Sequence, residues 1–517
     1  MRDRDWHTSV ITTLWPKLMA AIGTVLLCCS VAEAQTSSRI SFSRVVTEPG
    51  LGRLEFVLAV ADLDDDGRDD ILAGGRTDYY NGATAEERFT KTRLHVFVSV
   101  GDGSFRHAPE LVEGTIDVRN GVVVADDFNG DTHPDLAVFD SGVFVDDGVG
   151  GHGNPPQLFL SSDDGRLRPS EALADAVRRE HELRPQLGFY SGPADLHVKL
   201  AASGDIDGDG DIDLWVESTG GRNVTSHFMV NNGDGTFTLD PERAPYELLH
   251  NRRPEFWRHL GNDLVDLDND GDLDLALGQL RDLDPTHINQ FSIVLVNDGT
   301  GHYAERIELP HPAFYDGYTA VEALTHFDVN GDGFDDLLLV HERNHATLLN
   351  VTHTGRYIQV LINDGTAAGV LRRRRAMSFV DETLTRMSDQ SATTPERNAE
   401  GNRLQNTADP RMHDVDRDGC ADLVMSRNRG RVRTESPLVY HNNGRGRFQA
   451  MAPEPFAGSD REFGTYAVPA DVNGDTVIDF VVPVHHNGPD NRYSTEDDFT
   501  TLVTLLNTTP PGPVRCE

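Results

Sequence analysis

Residues Gly204 to Val216 read GDIDGDGDIDLWV, with an acidic side chain at every second position running straight into an apolar segment. Asp205, Asp207 and Asp209 take positions 1, 3 and 5 of a loop, Gly210 takes position 6 and Asp213 takes position 9. Alternate residues of a tight loop converge on one centre. Carboxylate oxygens suit Ca²⁺ there, and glycine admits the positive φ that folds the chain around an ion. One such run is compatible with any acidic surface turn, so its meaning depends on whether it recurs.

It recurs throughout the chain, as DLDDDGRDD, DFNGDTHPD, DIDGDGDID, DLDNDGDLD, DVNGDGFDD, DVDRDGCAD and DVNGDTVID. Position 1 is Asp62, Asp127, Asp205, Asp266, Asp328, Asp414 and Asp471, and position 3 is Asp64, Asn129, Asp207, Asp268, Asn330, Asp416 and Asn473. Position 5 is Asp66, Asp131, Asp209, Asp270, Asp332, Asp418 and Asp475, and position 9 is Asp70, Asp135, Asp213, Asp274, Asp336, Asp422 and Asp479. These residues form the expected ligand set for up to seven Ca²⁺ ions, because aligned carboxylates repel one another unless a cation fills the loop. Thr132 and Thr476 replace the position-6 glycine in the second and seventh copies, which marks those two sites as the weakest.

An EF-hand needs a bidentate Glu at position 12 between two helices. Here position 12 is Ala73, Val138, Val216, Leu277, Leu339, Met425 and Val482, in short runs bounded by Gly, Asn or Pro, which predicts strands. After most loops a second signature follows, such as HFMVNNGDGTF and LVYHNNGRGRF: an apolar strand, a tight turn and another strand. With the strand before each loop (FVLAV, HVKLAA, TYAVPA) this makes four strands per repeat, hence an all-β, seven-bladed β-propeller of four-stranded blades. The last copy ends at TLVTLLNTTP with no fourth strand, whereas SSRISFSRVV near the amino terminus matches one. The N-terminal strand is therefore expected to complete the last blade and close the ring.

These seven loops, with approaches such as FGTYAVPADVNGD (Phe463 to Asp475), resemble the FG-GAP or VCBS type repeats, whose fold is shared with the β-propeller of integrin α subunits. The resemblance covers almost the whole chain after its first segment. It implies a calcium-stabilised propeller of a kind that often binds glycans or proteins and that also occurs in some polysaccharide lyases and lectins, so it bears on fold rather than activity.

With 46 basic and 84 acidic residues the net charge is −38, which argues against nucleic acid and against an anionic membrane surface as partners. Arg2, Arg4 and Lys17 precede the apolar run AAIGTVLLCCSVA, which reads as a secretory signal peptide (1–34) cleaved after Ala34. The propeller then takes 35–509 and a short tail 510–517. The expected product is secreted, not inserted in a membrane, and monomeric. Cys28 and Cys29 leave with the signal, so Cys420 and Cys516 remain, either bridged or free.

Strand direction puts the acidic loops and the Asn/Asp/Gly turns at one face and the long, varied connections at the other. Starts of successive copies lie 57 to 86 residues apart, against roughly 40 to 50 for a compact blade. Long loops on a rigid scaffold are where ligands bind. Candidate ligand-binding residues on that face are Tyr79, Tyr80, Arg258, His259, His341, Arg343, His345, His485, His486, Arg492 and Tyr493. Aromatic rings stack on sugars, Arg clamps carboxylates, and His or Tyr can move a proton beside a uronate. No nucleophile elbow, P-loop or metalloprotease helix is present, and no catalytic residue is assigned. The leading expectation is a module that binds an extracellular glycan or protein. A lyase or hydrolase acting on acidic polysaccharide, and a structural envelope or matrix component, stay open beside it.

Overall fold

The run after the acidic loop is buried from end to end in Asp70–Gly74, Asp135–Phe139 and Asp422–Met425. A strand of alternating character has one wet face, whereas one packed on both faces reads as a continuous apolar run. These second strands each lie inside a blade with a neighbouring blade on either side. The computed structural model describes residues 40–51, 54, 56–74, 92–118, 121–140, 143–145, 150–152, 155–162, 164–183, 198–218, 226–245, 249, 258–280, 291–312, 320–343, 355–365, 377–387, 410–425, 438–451, 462–464, 467–486, 499–514 and 516.

Seven antiparallel blade sheets follow one another, each ordered first to fourth strand, and Val143–Val145 pairs with Gly150–His152 in a separate two-stranded sheet. Blade one is Phe56–Ala61, Asp70–Gly74, Thr92–Ser99 and Phe105–His107, and blade two is Val122–Asp126, Asp135–Phe139, Gln157–Leu160 and Arg168–Ser170. Blade three is Val198–Gly204, Asp213–Ser218, His227–Asn231 and Phe237–Asp240, and blade four is Arg258–Val265, Asp274–Leu280, Ile293–Asn297 and Tyr303–Glu308. Blade five is Ala320–Phe327, Asp336–Arg343, Gly355–Asn363 and Phe379–Asp381, and blade six is Pro410–His413, Asp422–Met425, Leu438–Asn442 and Phe448–Met451. Blade seven begins with Glu462–Gly464 and Val468–Ala470, continues through Asp479–His486 and Phe499–Asn507, and is completed by Phe42–Thr47. That N-terminal strand pairs in register from Phe42 opposite Asn507 to Thr47 opposite Leu502, so the ring closes as the sequence predicts.

The core is divided to match. Seven apolar clusters each join two neighbouring blades, from the group around Phe97, Ile71 and Val481 between blades seven and one to the group around Trp215, Phe228 and Tyr303 between blades three and four. In the latter, Phe228 lies flat on Tyr303 (5.0 Å, 4°), and the Tyr303 hydroxyl donates to the Leu273 carbonyl at 2.9 Å. The buried phenol is thereby satisfied rather than orphaned.

A helix not anticipated from the repeats, Ala172–Leu183, follows the fourth strand of blade two and lays Leu173, Ala176 and Val177 on the cluster between blades two and three. Their three- and four-residue spacing is an amphipathic signal. No described helix is long and apolar enough to cross a membrane.

Cys420 and Cys516 form a disulfide across a separation of 96 residues. It pins the C-terminal tail to the sixth acidic loop, where Gly512 N–H also donates to the Arg417 carbonyl at 2.9 Å. In the chain-entropy account, closing a loop of this size stabilises by about 4–5 kcal/mol. Cys516→Ser is expected to lower the denaturant midpoint and to make the tail the first site of proteolytic trimming. An unchanged midpoint would show that the ring already supplies that restraint.

Candidate metal centres and ligand face

All seven acidic loops share one hydrogen-bonding scheme. The position-1 carboxylate accepts from backbone N–H groups further along its own loop, as Asp62 does from Asp66 (3.0 Å) and Gly67 (2.8 Å), and Asp471 from Gly474 (2.9 Å) and Thr476 (2.8 Å). Position 5 caps the turn by accepting from the N–H of position 7, as in Asp209 from Asp211 at 3.0 Å. Position 9 begins the second strand, fully buried. Its Oδ1 accepts from the N–H at the end of the third strand, in Asp70 from Ser99 (2.8 Å), Asp213 from Asn231 (2.7 Å) and Asp479 from Asn507 (2.7 Å). This carboxylate fastens the loop to the blade. Burial drives its ionisation upward against those donors, to about 7 for Asp70, Asp213, Asp336 and Asp479, about 6 for Asp135 and about 8 for Asp274.

Two residues in each loop have left-handed backbones. Position 6 has φ of 72° at Thr132 and 66° at Thr476, like the glycines that replace them in the other copies. Position 4 is left-handed too, at Asp65, Asn269 and Arg417 as well as at glycines. Sequence reasoning missed this second position, although each loop places glycine at one or both. Asn and Asp tolerate the region, whereas a β-branched residue there is strained by about 1–2 kcal/mol. Thr132→Gly is therefore expected to tighten the second site by roughly tenfold in a calcium titration. Under chelation, native mass spectrometry should show the ions of blades two and seven leaving first. A weaker Thr132→Gly site would reverse this ranking.

Position 3 separates the loops chemically. Where it is Asn, its amide donates within the loop to the position-5 carboxylate: Asn129 to Asp131 at 3.1 Å, Asn330 to Asp332 at 2.9 Å and Asn473 to Asp475 at 3.2 Å. Where it is Asp, carboxylates converge instead. Among the described residues, groups with ligand atoms within 4.8 Å of one another are Asp62, Asp64 and Asp66; Asp205, Asp207 and Asp213; Asp266, Asp268 and Asp274; Asp414, Asp416 and Asp418; and Asp416, Asp422 and His441. Asp64 Oδ1 and Asp207 Oδ1 are buried with no hydrogen-bond donor, although Arg243 reaches the other oxygen of Asp207 at 3.0 Å. An orphaned anionic oxygen is what a cation would take up, so these loops fit a metal ion.

The second strands end and the third begin at the edge away from these loops. Arg258 pairs with Leu280, His259 with Gln279, Arg343 with Gly355, His485 with Thr500 and His486 with Phe499 in register there. His341 is buried, with Nε2 at 2.8 Å from Gln359 Oε1, and His485 is buried with Nδ1 at 3.0 Å from Thr500 Oγ1. These two imidazoles are held within their blades. His486 stacks on the exposed ring of Phe499 (4.5 Å, 6°) and bonds Thr501 Oγ1 at 2.9 Å. Tyr79, Tyr80, His345, Arg492 and Tyr493 lie outside the described residues.

Residues 205–277 and 407–482, each running from one acidic loop through the strand after the next, match the family described as FG-GAP-like repeat. The chain carries FG-GAP-like repeats. A comparison with curated proteins found no match. Among solved structures, this FG-GAP propeller is similar to an Agrocybe aegerita lectin described as recognising non-reducing terminal N-acetylglucosamine (16% identity, 81% of this chain and 93% of that one, TM-score 0.41). It is also similar to a Bacillus licheniformis rhamnogalacturonan lyase (13% identity, 93% of this chain and 74% of that one, TM-score 0.39). A third is an α-L-arabinofuranosidase from Fusarium graminearum in complex with an iminosugar inhibitor (8% identity, 91% and 98%, TM-score 0.35). At such identities the likeness is one of fold alone.

Proposed function

We propose that the chain is a secreted, calcium-loaded β-propeller that binds an extracellular glycan or protein through the edge opposite its acidic loops. The observation that carries this reading is the separation of the two edges. The acidic loops spend their carboxylates on their own turns and on the third strand, while the second strands end and the third begin at the other edge. Calcium follows from the all-oxygen donor sets of blades one, three and four. Its work is to hold the loop edge rigid so that the far edge presents a fixed surface. The run ending at Ala34 is read as an export signal, consistent with a disulfide formed in an oxidising compartment.

The test is a panel of neutral and uronate polysaccharides, followed by affinity electrophoresis and by ultraviolet absorbance for unsaturated sugars. Retardation without absorbance is expected. Arg492→Ala with Tyr493→Ala should weaken retardation and leave calcium content unchanged. Unsaturated product would make the protein a lyase, and equal weakening by changes in the acidic loops would move the ligand to the acidic edge.

A further inference from the structure

The residue just before the one whose N–H donates to the position-9 carboxylate is apolar in six blades: Val98, Leu160, Val230, Val296, Ile362 and Leu506. In blade six it is His441. The other six pack into the clusters between blades, whereas the His441 ring turns to the acidic loop. Its Nδ1 lies 3.1 Å from Asp416 Oδ2 and 3.3 Å from Asp422 Oδ1. Ligands sharing one tetrahedral ion through bonds of about 2.0–2.1 Å stand about 3.3 Å apart; both His441 distances match that spacing, and the three ligand atoms lie within 4.8 Å of one another.

The same loop is the one closed from above. Asp416 and Asp418 are 1% and 2% exposed, and Asp422 is fully buried. The tail lies across them: Arg417 Nη1 donates to the Thr509 carbonyl at 3.0 Å, and a Cβ added to Gly512 would meet that of Asp418 at 3.1 Å. The Cys420–Cys516 bridge locks this cover. Buried carboxylates stay ionised only beside a cation, and a hard ion such as Ca²⁺ prefers oxygen to imidazole nitrogen, which suits zinc-class ions.

We infer that blade six holds a divalent transition-class ion, bound by Asp416, Asp422 and His441 and sealed under the disulfide-bonded tail, in a ring whose other acidic clusters, among the described residues, are aspartates alone. This is independent of what the opposite edge binds. Zn²⁺ is the probe. The full chain is incubated with excess Ca²⁺ and limiting Zn²⁺, desalted, and both metals are counted by mass spectrometry. About one zinc ion per chain is expected in the wild type, four-coordinate as structural sites usually are, and none in His441→Leu, which restores the residue type of the other blades. Calcium counts separately, so a failure of the calcium reading is not confused with a failure here. Zinc retained equally by both proteins, or absent from the wild type, would overturn the inference and leave His441 as a cationic partner of two aspartates. Zinc-edge absorption on the wild type is a second measurement that needs no variant: scattering from one imidazole is expected, and an all-oxygen shell would refute the assignment.

Discussion

Deleting residues 40–47 is expected to unfold the ring or bring it close to unfolding. The strand Phe42–Thr47 contributes a complete antiparallel ladder to blade seven, from Phe42 opposite Asn507 to Thr47 opposite Leu502. Ile40 is buried in the cluster between blades six and seven, and the Phe42 ring packs edge-on against Phe480 at 5.7 Å. Ser41 N–H donates to Thr509 Oγ1 at 3.0 Å, and Phe105 N–H of blade one donates to Thr47 Oγ1 at 3.0 Å, so the segment bonds to the tail and to the next blade as well. Burial at about 25 cal/mol per Å² and roughly 1 kcal/mol for each hydrogen bond put the loss on the order of 5–10 kcal/mol, as large as the whole margin of many domains. The deletion also bares Phe499–Asn507 as an edge, which invites strand pairing between molecules. Circular dichroism melting and size-exclusion chromatography read both effects. A full-length melting temperature and a clean monomer peak would show that the ring closes without this strand.

Metal removal should produce an equally large change, with a distinctive dependence on pH. Burial holds the position-9 carboxyls of blades one, two, three, four, five and seven well above their ordinary value, at about 6 to 8, when no ion is bound. Between roughly pH 4 and pH 7 the metal-free folded chain therefore holds protons that the unfolded chain has released. Stability then falls as pH rises through that window, because the folded state must ionise buried acids. Each tenfold displacement of such an equilibrium is worth about 1.4 kcal/mol, and six loops contribute. A divalent ion favours the ionised form and cancels the trend, in addition to stabilising by mass action. In chelator, melting should be lower at pH 8 than at pH 5 by about 10 °C or more, and saturating calcium should close the gap. High salt screens the surface repulsion of a chain carrying −38 and isolates the buried groups. A melting temperature indifferent to pH in chelator would mean these carboxyls ionise freely without metal.

Much of the fold was legible because the acidic loop is a local motif whose carboxylates, glycines and following apolar run are written within a dozen residues. Closure by the N-terminal strand was readable too, since blade seven lacks a fourth strand in sequence. What was not legible depends on contacts between distant residues. His441 sits within LVYHN, an ordinary strand by pattern, and only the fold aims its ring at Asp416 and Asp422. Position 9 looks like a ligand in sequence, but its first structural task is to accept from the third strand. His341 and His485 fall near strand ends at the connection edge, yet the pleat turns both inward to Gln359 and Thr500. The helix Ala172–Leu183 carries its own periodic signal, but it lies in a connection between blades, outside the repeated pattern.

In five blades the residue that donates its backbone N–H to position 9 also reaches out of its blade. Asn231, Asn297, Asn363 and Asn507 each give a side-chain N–H to the carbonyl of loop position 2 in the preceding blade, at Phe128, Ile206, Leu267 and Val415, and Ser99 Oγ donates to Val472 across the closing junction. That carbonyl stands between the two residues whose carboxylates or amide organise the loop. At these five junctions an acidic loop is therefore tied directly to the third strand of the next blade. Metal binding at loops joined in this way should be coupled, and reciprocally so, with occupancy of either neighbour favouring the other. The ring is in that respect a set of coupled sites as well as a scaffold.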